Sequence, residues 1–370
     1  MRWPWKRQTS SDQLVVSWSG QVLAYVLARS GANGVYQVLK LGVERQGSDS
    51  IDTFVQRLQD LGLKGLDAHI MLRPEQYQLL QIESPPVPPA ELQAAARYQI
   101  REMISTRVDD ITLDVMRVGD DHQQKGKGHL FVVAATNAIV RGMLVLGDAM
   151  RWTVSVIDIQ ETAQRNLQNA LVARDAQSEH ANAALVLVEG QKAVLTISAN
   201  EELFYSRRFE LPAGFLTMPW VQGSDASAAP VTAVAGSGSF MPVAEYVPDY
   251  SVGSVSLGND NSQTSAIHPA ASGASGSVDD ERVQRFLDDV QRSLDVWDRT
   301  WSSKPLDSLR VYAGERSEEL ATWLAARNGQ TVLALDVKAL FPGFESGTTD
   351  DQALCLPLLG VLLRSESRQL

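Results

Sequence analysis

The chain has 370 residues, 44% of them hydrophobic and 21% charged, ordinary for a globular protein and enough to build the cores of two or more domains. A net charge of −11 with no basic stripe excludes a nucleic-acid binder, because nothing is available to neutralise a run of phosphates. The single cysteine, Cys355, cannot form an internal disulfide and lies in an apolar run, where it reads as an inert buried thiol.

At the start, Trp3 and Trp5 interleave with Arg2, Lys6 and Arg7, a pattern suited to a lipid headgroup interface. Residues 1–10 are therefore read as a flexible basic and aromatic terminus, either a frayed end or a point of reversible peripheral membrane contact through Trp3 and Trp5. The first residues do not read as a secretory leader and no run reaches the ~18–20 apolar residues that cross a bilayer, so a cytoplasmic chain without a leader is expected.

Strands are predicted from Leu14, over Val22–Leu27 and over Gly34–Leu39, the last two separated by the turn Ser30–Gly34. Ile51, Phe54, Val55, Leu58 and Leu61 recur at helical spacing and Gly62 closes the helix; Asp67–Leu72 is the next strand. Pro85, Pro86, Pro88 and Pro89 then forbid both helix and central strand. Beyond them come a helix over Glu91–Ile104, strands Ile111–Val118 and His129–Ala134 around a polar turn, and a helix on Ile139, Met143, Leu146 and Met150. A strand over Trp152–Ile157 leads into a helix Asp158–Val172, with Asp158 expected to cap it. Ala184–Val188, Ala193–Ser198 and Leu203–Phe209 repeat the opening three-strand plan.

From 222 to 277 the chain is dominated by Ser, Gly, Ala, Val and Pro, with no helical period, so this tract is expected to be disordered and dispensable for folding. An amphipathic helix follows on Val283, Phe286, Leu287, Val290, Leu294, Trp297 and Trp301. Ser308–Ala313 and Thr331–Ala334 read as strands, Glu318–Arg327 and Leu354–Leu363 as helices. No GxxxxGK[ST], GxGxxG or GxSxG arrangement is present, and the five histidines are scattered without metal-ligand spacing. No catalytic residue and no metal site are expected.

The helix around Val290-Gln291-Arg292-Ser293-Leu294-Asp295, the entry Pro89-Ala90-Glu91-Leu92 and the strand Asp109-Asp110-Ile111-Thr112-Leu113-Asp114-Val115 carry a resemblance. They resemble the PilM family, actin-like accessory proteins of bacterial type IV pili, and within it the MSHA-pilus branch, MshI. The resemblance implies a two-lobed actin-like α/β fold of the FtsA and PilM type. Its first half would span 11–82 and 138–175, an inserted small α+β subdomain 83–137, its second half 176–221 and 278–370, and the disordered insert 222–277.

Actin-like nucleotide binders cradle phosphates in glycine-rich turns and orient the cation with an Asp. In the first such turn Ser17 stands where the family has the acid and Ser19 where it has the first glycine, while Gly20 remains. In the second, Val188 replaces the Asp, with Glu189 one step off and Gly190 kept; the adenine turn keeps only Gly314, followed by Glu315. The resemblance thus implies a degenerate nucleotide site of Ser17, Ser19, Gly20, Gly190 and Gly314. No cofactor is expected, ATP–Mg²⁺ is not expected to be held tightly, and the chain reads as a pseudo-ATPase.

The family role implies a scaffold at the cytoplasmic face of a Gram-negative inner membrane. It would bind the cytoplasmic segment of a single-pass PilN-like protein, with other pilus platform proteins nearby. The partner residues implied are Glu91, Leu92, Tyr98, Ile100 and Val115 beside the subdomain. The alternatives are an active actin-like ATPase of pilus assembly, which needs intact phosphate loops, and a GspL-like component of type II secretion, expected to continue into a membrane span after Leu363.

Overall fold

The computed structural model of the chain describes residues 12–31, 35–118, 128–175, 180–188, 192–220 and 275–364, with side chains from 281 in the last stretch. The expectations for Trp3, Trp5, Glu189, Gly190 and the tract 222–274 lie outside the described residues.

The first half opens with β1 (Asp12–Trp18), β2 (Val22–Ser30), β3 (Tyr36–Arg45), α1 (Ile51–Asp60) and β4 (Asp67–Leu72). The inserted subdomain follows as β5 (Tyr77–Glu83), α2 (Leu92–Gln99), β6 (Ile111–Arg117) and β7 (His129–Thr136). The chain returns through α3 (Asn137–Met150), β8 (Thr153–Ile159) and α4 (Gln160–Arg174). The second half comprises β9 (Ala181–Val188), β10 (Lys192–Ala199), β11 (Glu202–Glu210), α5 (Ser275–Thr300), β12 (Leu306–Tyr312), α6 (Ser317–Asn328), β13 (Val332–Ala334) and α7 (Thr349–Leu362).

The two halves share one plan. Their sheets run β3-β2-β1-β4-β8 and β11-β10-β9-β12-β13, an antiparallel three-strand start extended by two parallel strands in each case. The central strands are buried on both faces, which is why they read as unbroken apolar runs. Leu14, Val16 and Trp18 face a core with Phe54, Leu58, Met143 and Leu146 of α1 and α3, whereas Val15 faces a central core with α7. β9 divides likewise: Ala183, Leu185 and Leu187 meet α5 and α6, and Ala184 and Val186 turn to the central core.

The central core is closed by exchanged helices. α4 leaves the first sheet and lies against β9, β10 and β11; α7, the last helix among the described residues, lies against β1, β2 and β3. The two helices cross so closely that a Cβ on Gly360 would stand 1.9 Å from the carbonyl oxygen of Ala163. Asn166 ties the crossing by donating to the Gly360 carbonyl at 3.0 Å. Cys355 is buried here, and burial pushes its thiol up to about 12. The outer edge of β3 is covered by the second half, with Tyr36 and Val38 N–H donating to Leu340 and Pro342 carbonyls at 2.9 Å.

Several boundaries differ from the sequence reading. β5 pairs with β7 over its full length, so the subdomain sheet, ordered β5-β7-β6, begins at Tyr77 and not at 83. Glutamines at 78 and 81 hide its strand character. The helix expected to reach Ile104 ends at Gln99 and tightens into a 3₁₀ turn over Ile100–Glu102. Residues 275–277, assigned to the insert, already belong to α5. α7 starts at Thr349, not Leu354, with Thr348 as its cap; Pro357 sits in its interior. Asp158 does not cap α4: it is the penultimate residue of β8, Ile159 holds the cap position, and the carboxylate pairs with Arg364 at 2.8 Å.

Candidate functional site

The β1–β2 turn is where the resemblance places the first phosphate loop. Gly20 takes φ +92, open to glycine without strain, and Ser19 N–H donates to the Val22 carbonyl at 3.0 Å. The Ser19 hydroxyl accepts from Val22 N–H at 3.0 Å and from Gln21 N–H at 3.4 Å, so these backbone donors are already occupied within the turn. Trp18 is buried against Phe54, ring centroids 4.9 Å apart, and Gln76 donates to its carbonyl at 2.8 Å. Ser17 is buried with no partner for its hydroxyl.

In the turn where the resemblance places the adenine site, Gly314 takes φ +63, and Ser317 closes the turn by accepting from Ala313 N–H at 3.0 Å and donating to the Gly314 carbonyl at 2.6 Å. Glu315 accepts from the Thr349 hydroxyl at 2.6 Å, tying the turn to the first residue of α7. Neither of two surface cavities, of about 590 and 520 Å³, is lined by residues 17–21 or 313–317. The larger lies between the end of α4 and α6, around Asp175, Arg310 and Thr322.

Between the lobes the structure places a polar network that sequence reasoning missed. Glu161, on the first turn of α4, is fully buried. Its carboxylate accepts from Arg208 of β11 at 2.8 and 3.0 Å and from the Tyr77 hydroxyl of β5. Arg208 also donates to the Pro74 carbonyl at 2.6 Å and stacks on the Tyr77 ring. Burial works against the guanidinium charge, but Glu161 and Tyr77 outweigh it and hold the Arg208 pKa above its ordinary value. Burial, reinforced by Glu161, pushes Tyr77 well up, so it stays a neutral donor. One cluster thus joins the first half, the subdomain and the second half. Beside it, Gln160 is buried with its amide nitrogen unpartnered. Sequence separations of 47 and 84 residues leave no local signal for this cluster.

Removing Arg208 leaves a buried carboxylate with no counter-charge. Because Arg208 is itself part-exposed, Arg208→Ala is expected to cost about 2 kcal/mol, less than a fully buried pair would. Urea unfolding of Arg208→Ala, Glu161→Gln and the double variant checks it, the double being expected less destabilised than the sum of the two singles.

The five residues expected to meet a partner separate into two groups. Leu92, Ile100 and Val115 are buried in the subdomain core with Leu80, Ile111, Leu130 and Val132, so they are packing residues and offer no surface. Glu91 is exposed, and Tyr98 is 80% exposed on the outer side of α2, with Met103 beyond it at 49%. On an eight-residue helix the sequence alone does not fix which apolar residue points out.

No family profile and no curated protein matches the chain. Among solved structures it is similar to the PilM–PilN type IV pilus biogenesis complex, at 14% identity over 96% of this chain and 99% of that one, with a TM-score of 0.60. A Bacteroides thetaiotaomicron protein with an actin-like ATPase fold and unknown function aligns at 10% identity over 94% and 96%, TM-score 0.43. The cytoplasmic domain of EpsL, an inner-membrane component of the Vibrio cholerae type II secretion system, aligns at 17% identity over 58% and 78%, TM-score 0.38. The two lower scores carry no weight. Together with the duplicated sheets and exchanged helices, the full-length likeness establishes the fold: the chain is a two-lobed actin-like α/β protein with an inserted three-stranded subdomain.

Proposed function

We propose that the chain is a scaffold of type IV pilus biogenesis, of the MSHA type, that binds the cytoplasmic segment of a PilN-like inner-membrane protein and does not turn over nucleotide. The observation that supports it most is the two-way coverage: the PilM–PilN structure accounts for nearly all of this chain, and this chain for nearly all of that one. In this reading the protein works at the cytoplasmic face of a Gram-negative inner membrane, held there by its partners. Among the described residues no helix is long and apolar enough to cross a membrane.

Three features support a pseudo-ATPase. Ser17 offers no charge to a cation, the Ser19 hydroxyl occupies backbone donors of the first turn, and Glu315 places an acid beside the third. Ligand at ~100 Kd would raise stability by roughly 2.7 kcal/mol. Melting with millimolar ATP–Mg²⁺ is therefore expected to leave the midpoint unchanged. An upward shift that EDTA abolishes would restore the ATPase alternative.

On the partner side, exposed Tyr98 is the apolar anchor of this reading. Truncating a good anchor costs about 2 kcal/mol, so Tyr98→Ala is expected to weaken binding of the PilN-like cytoplasmic peptide roughly thirtyfold while the fold is kept. Titration calorimetry decides it, and equal affinities would move the partner surface away from α2.

A further inference from the structure

Helix α3 lies on the outer side of the first half, burying Met143, Leu146, Gly147 and Met150. Its opposite side carries Ala138, Arg141, Val145, Asp148 and Ala149, none of them in the core. Val145 is 66% exposed and its neighbour Leu144 42%, which is unusual for two adjacent large aliphatic residues in a helix centre. Neither the Arg141 nor the Asp148 side chain has an ion-pair or hydrogen-bond partner among the described residues. Gly142 adds a second observation. A Cβ there would meet nothing within 4 Å among the described residues, so none of them requires glycine, although it weakens a helix by about 1 kcal/mol relative to alanine.

We propose that α3 is a dimerisation helix, through which two copies of this chain pair antiparallel about a two-fold axis passing between Leu144 and Val145. Arg141 and Asp148 stand equally far on either side of that axis, about 5 Å along the helix in each direction. The two-fold brings each Arg141 opposite the other copy's Asp148 and forms two equivalent ion pairs. Leu144 meets its own counterpart on one side of the contact and Val145 its own on the other. Ala138, Gly142 and Ala149, small residues on the Val145 flank, let the helix axes approach closely. The charge pattern is thus complementary to itself in this one register. Such a contact is closed, stopping at two copies where a head-to-tail contact would continue into a filament. One helix pair buries on the order of 800 Å² in total, so the dimer is weak and concentration-dependent.

Sedimentation velocity of the full chain, from low to high micromolar concentration, reads the association. The unaltered chain is expected to pass from monomer to dimer, and Val145→Glu to remain monomeric. Arg141→Glu and Asp148→Arg each replace two attractions with two repulsions, and each is expected to weaken association by roughly tenfold or more. Mixing these two variants is the decisive arm. The introduced glutamate of one then faces the introduced arginine of the other, and the retained Asp148 of the first faces the retained Arg141 of the second. The mixture is expected to form a heterodimer that neither variant forms alone. A chain that stays monomeric throughout, single reversals that associate as the unaltered chain does, or a mixture no more associated than its parts would each overturn the proposal. Circular dichroism confirms that all variants remain folded.

Discussion

Gly360→Ala is expected to destabilise the whole chain by about 3 kcal/mol or more, although alanine is the better helix former by about 1 kcal/mol. The added methyl would stand 1.9 Å from the Ala163 carbonyl oxygen and 2.5 Å from its carbon. Both are backbone atoms, so trimming the Ala163 side chain brings no relief and α4 and α7 must separate. That separation opens the central core, where Leu167, Leu356, Leu359 and Phe341 meet residues of both sheets. Thermal melting is expected to show a midpoint lower by at least about 4 °C. An unchanged midpoint would mean that the helices cross farther apart than described.

The second large effect is expected at Ile100. This residue is fully buried beneath the subdomain sheet, against Leu80, Leu113 and Val132. Ile100→Asp puts a carboxylate there with no counter-charge and removes a core side chain, together worth about 4 kcal/mol. Such a loss exceeds what a core of this size supplies, so α2 and its three strands are expected to unfold while the two lobes persist. Limited proteolysis is expected to show new cleavage between 77 and 136 in Ile100→Asp and none in Tyr98→Ala. Two neighbouring apolar residues of one short segment thereby have opposite meanings, one a packing residue and the other a candidate anchor.

The elements legible in the sequence are those whose pattern arises locally. β4 falls at Asp67–Leu72 in both readings, and α1 is marked by its apolar period and by Gly62 past its end. α5, with Trp297 and Val290 fully buried, follows the helical spacing of its large residues. β5 escapes because its apolar residues Tyr77, Leu80 and Ile82 do not alternate cleanly, and pairing with β7 decides its state. The departures from the family's phosphate turns that the resemblance implies are read from the sequence at Ser17, Ser19 and Val188. What fills them is not: the bonds of Ser19 within its own turn and of Glu315 to Thr349 depend on backbone geometry. The Tyr77, Glu161 and Arg208 cluster is the least legible part. Glu161 sits in a helix whose polar residues Gln164 and Gln168 look like a solvated face, yet both are buried and donate to carbonyls of β9 and β10. Hydropathy misreads a helix whose polar groups are satisfied by the strands beneath it.

The exchange of α4 and α7 between the lobes has a consequence for biosynthesis. The inner face of the first sheet, with Val15, Ala24, Val26 and Val38, is synthesised about 300 residues before its cover, residues 349–362. Until that segment has left the ribosome the nascent first lobe carries a bare apolar face, and each lobe matures only as a consequence of the other. A premature stop anywhere in α7 would therefore strand both lobes, not merely shorten one. Ribosome-bound intermediates of this chain should depend on chaperones until residues 349–362 have emerged.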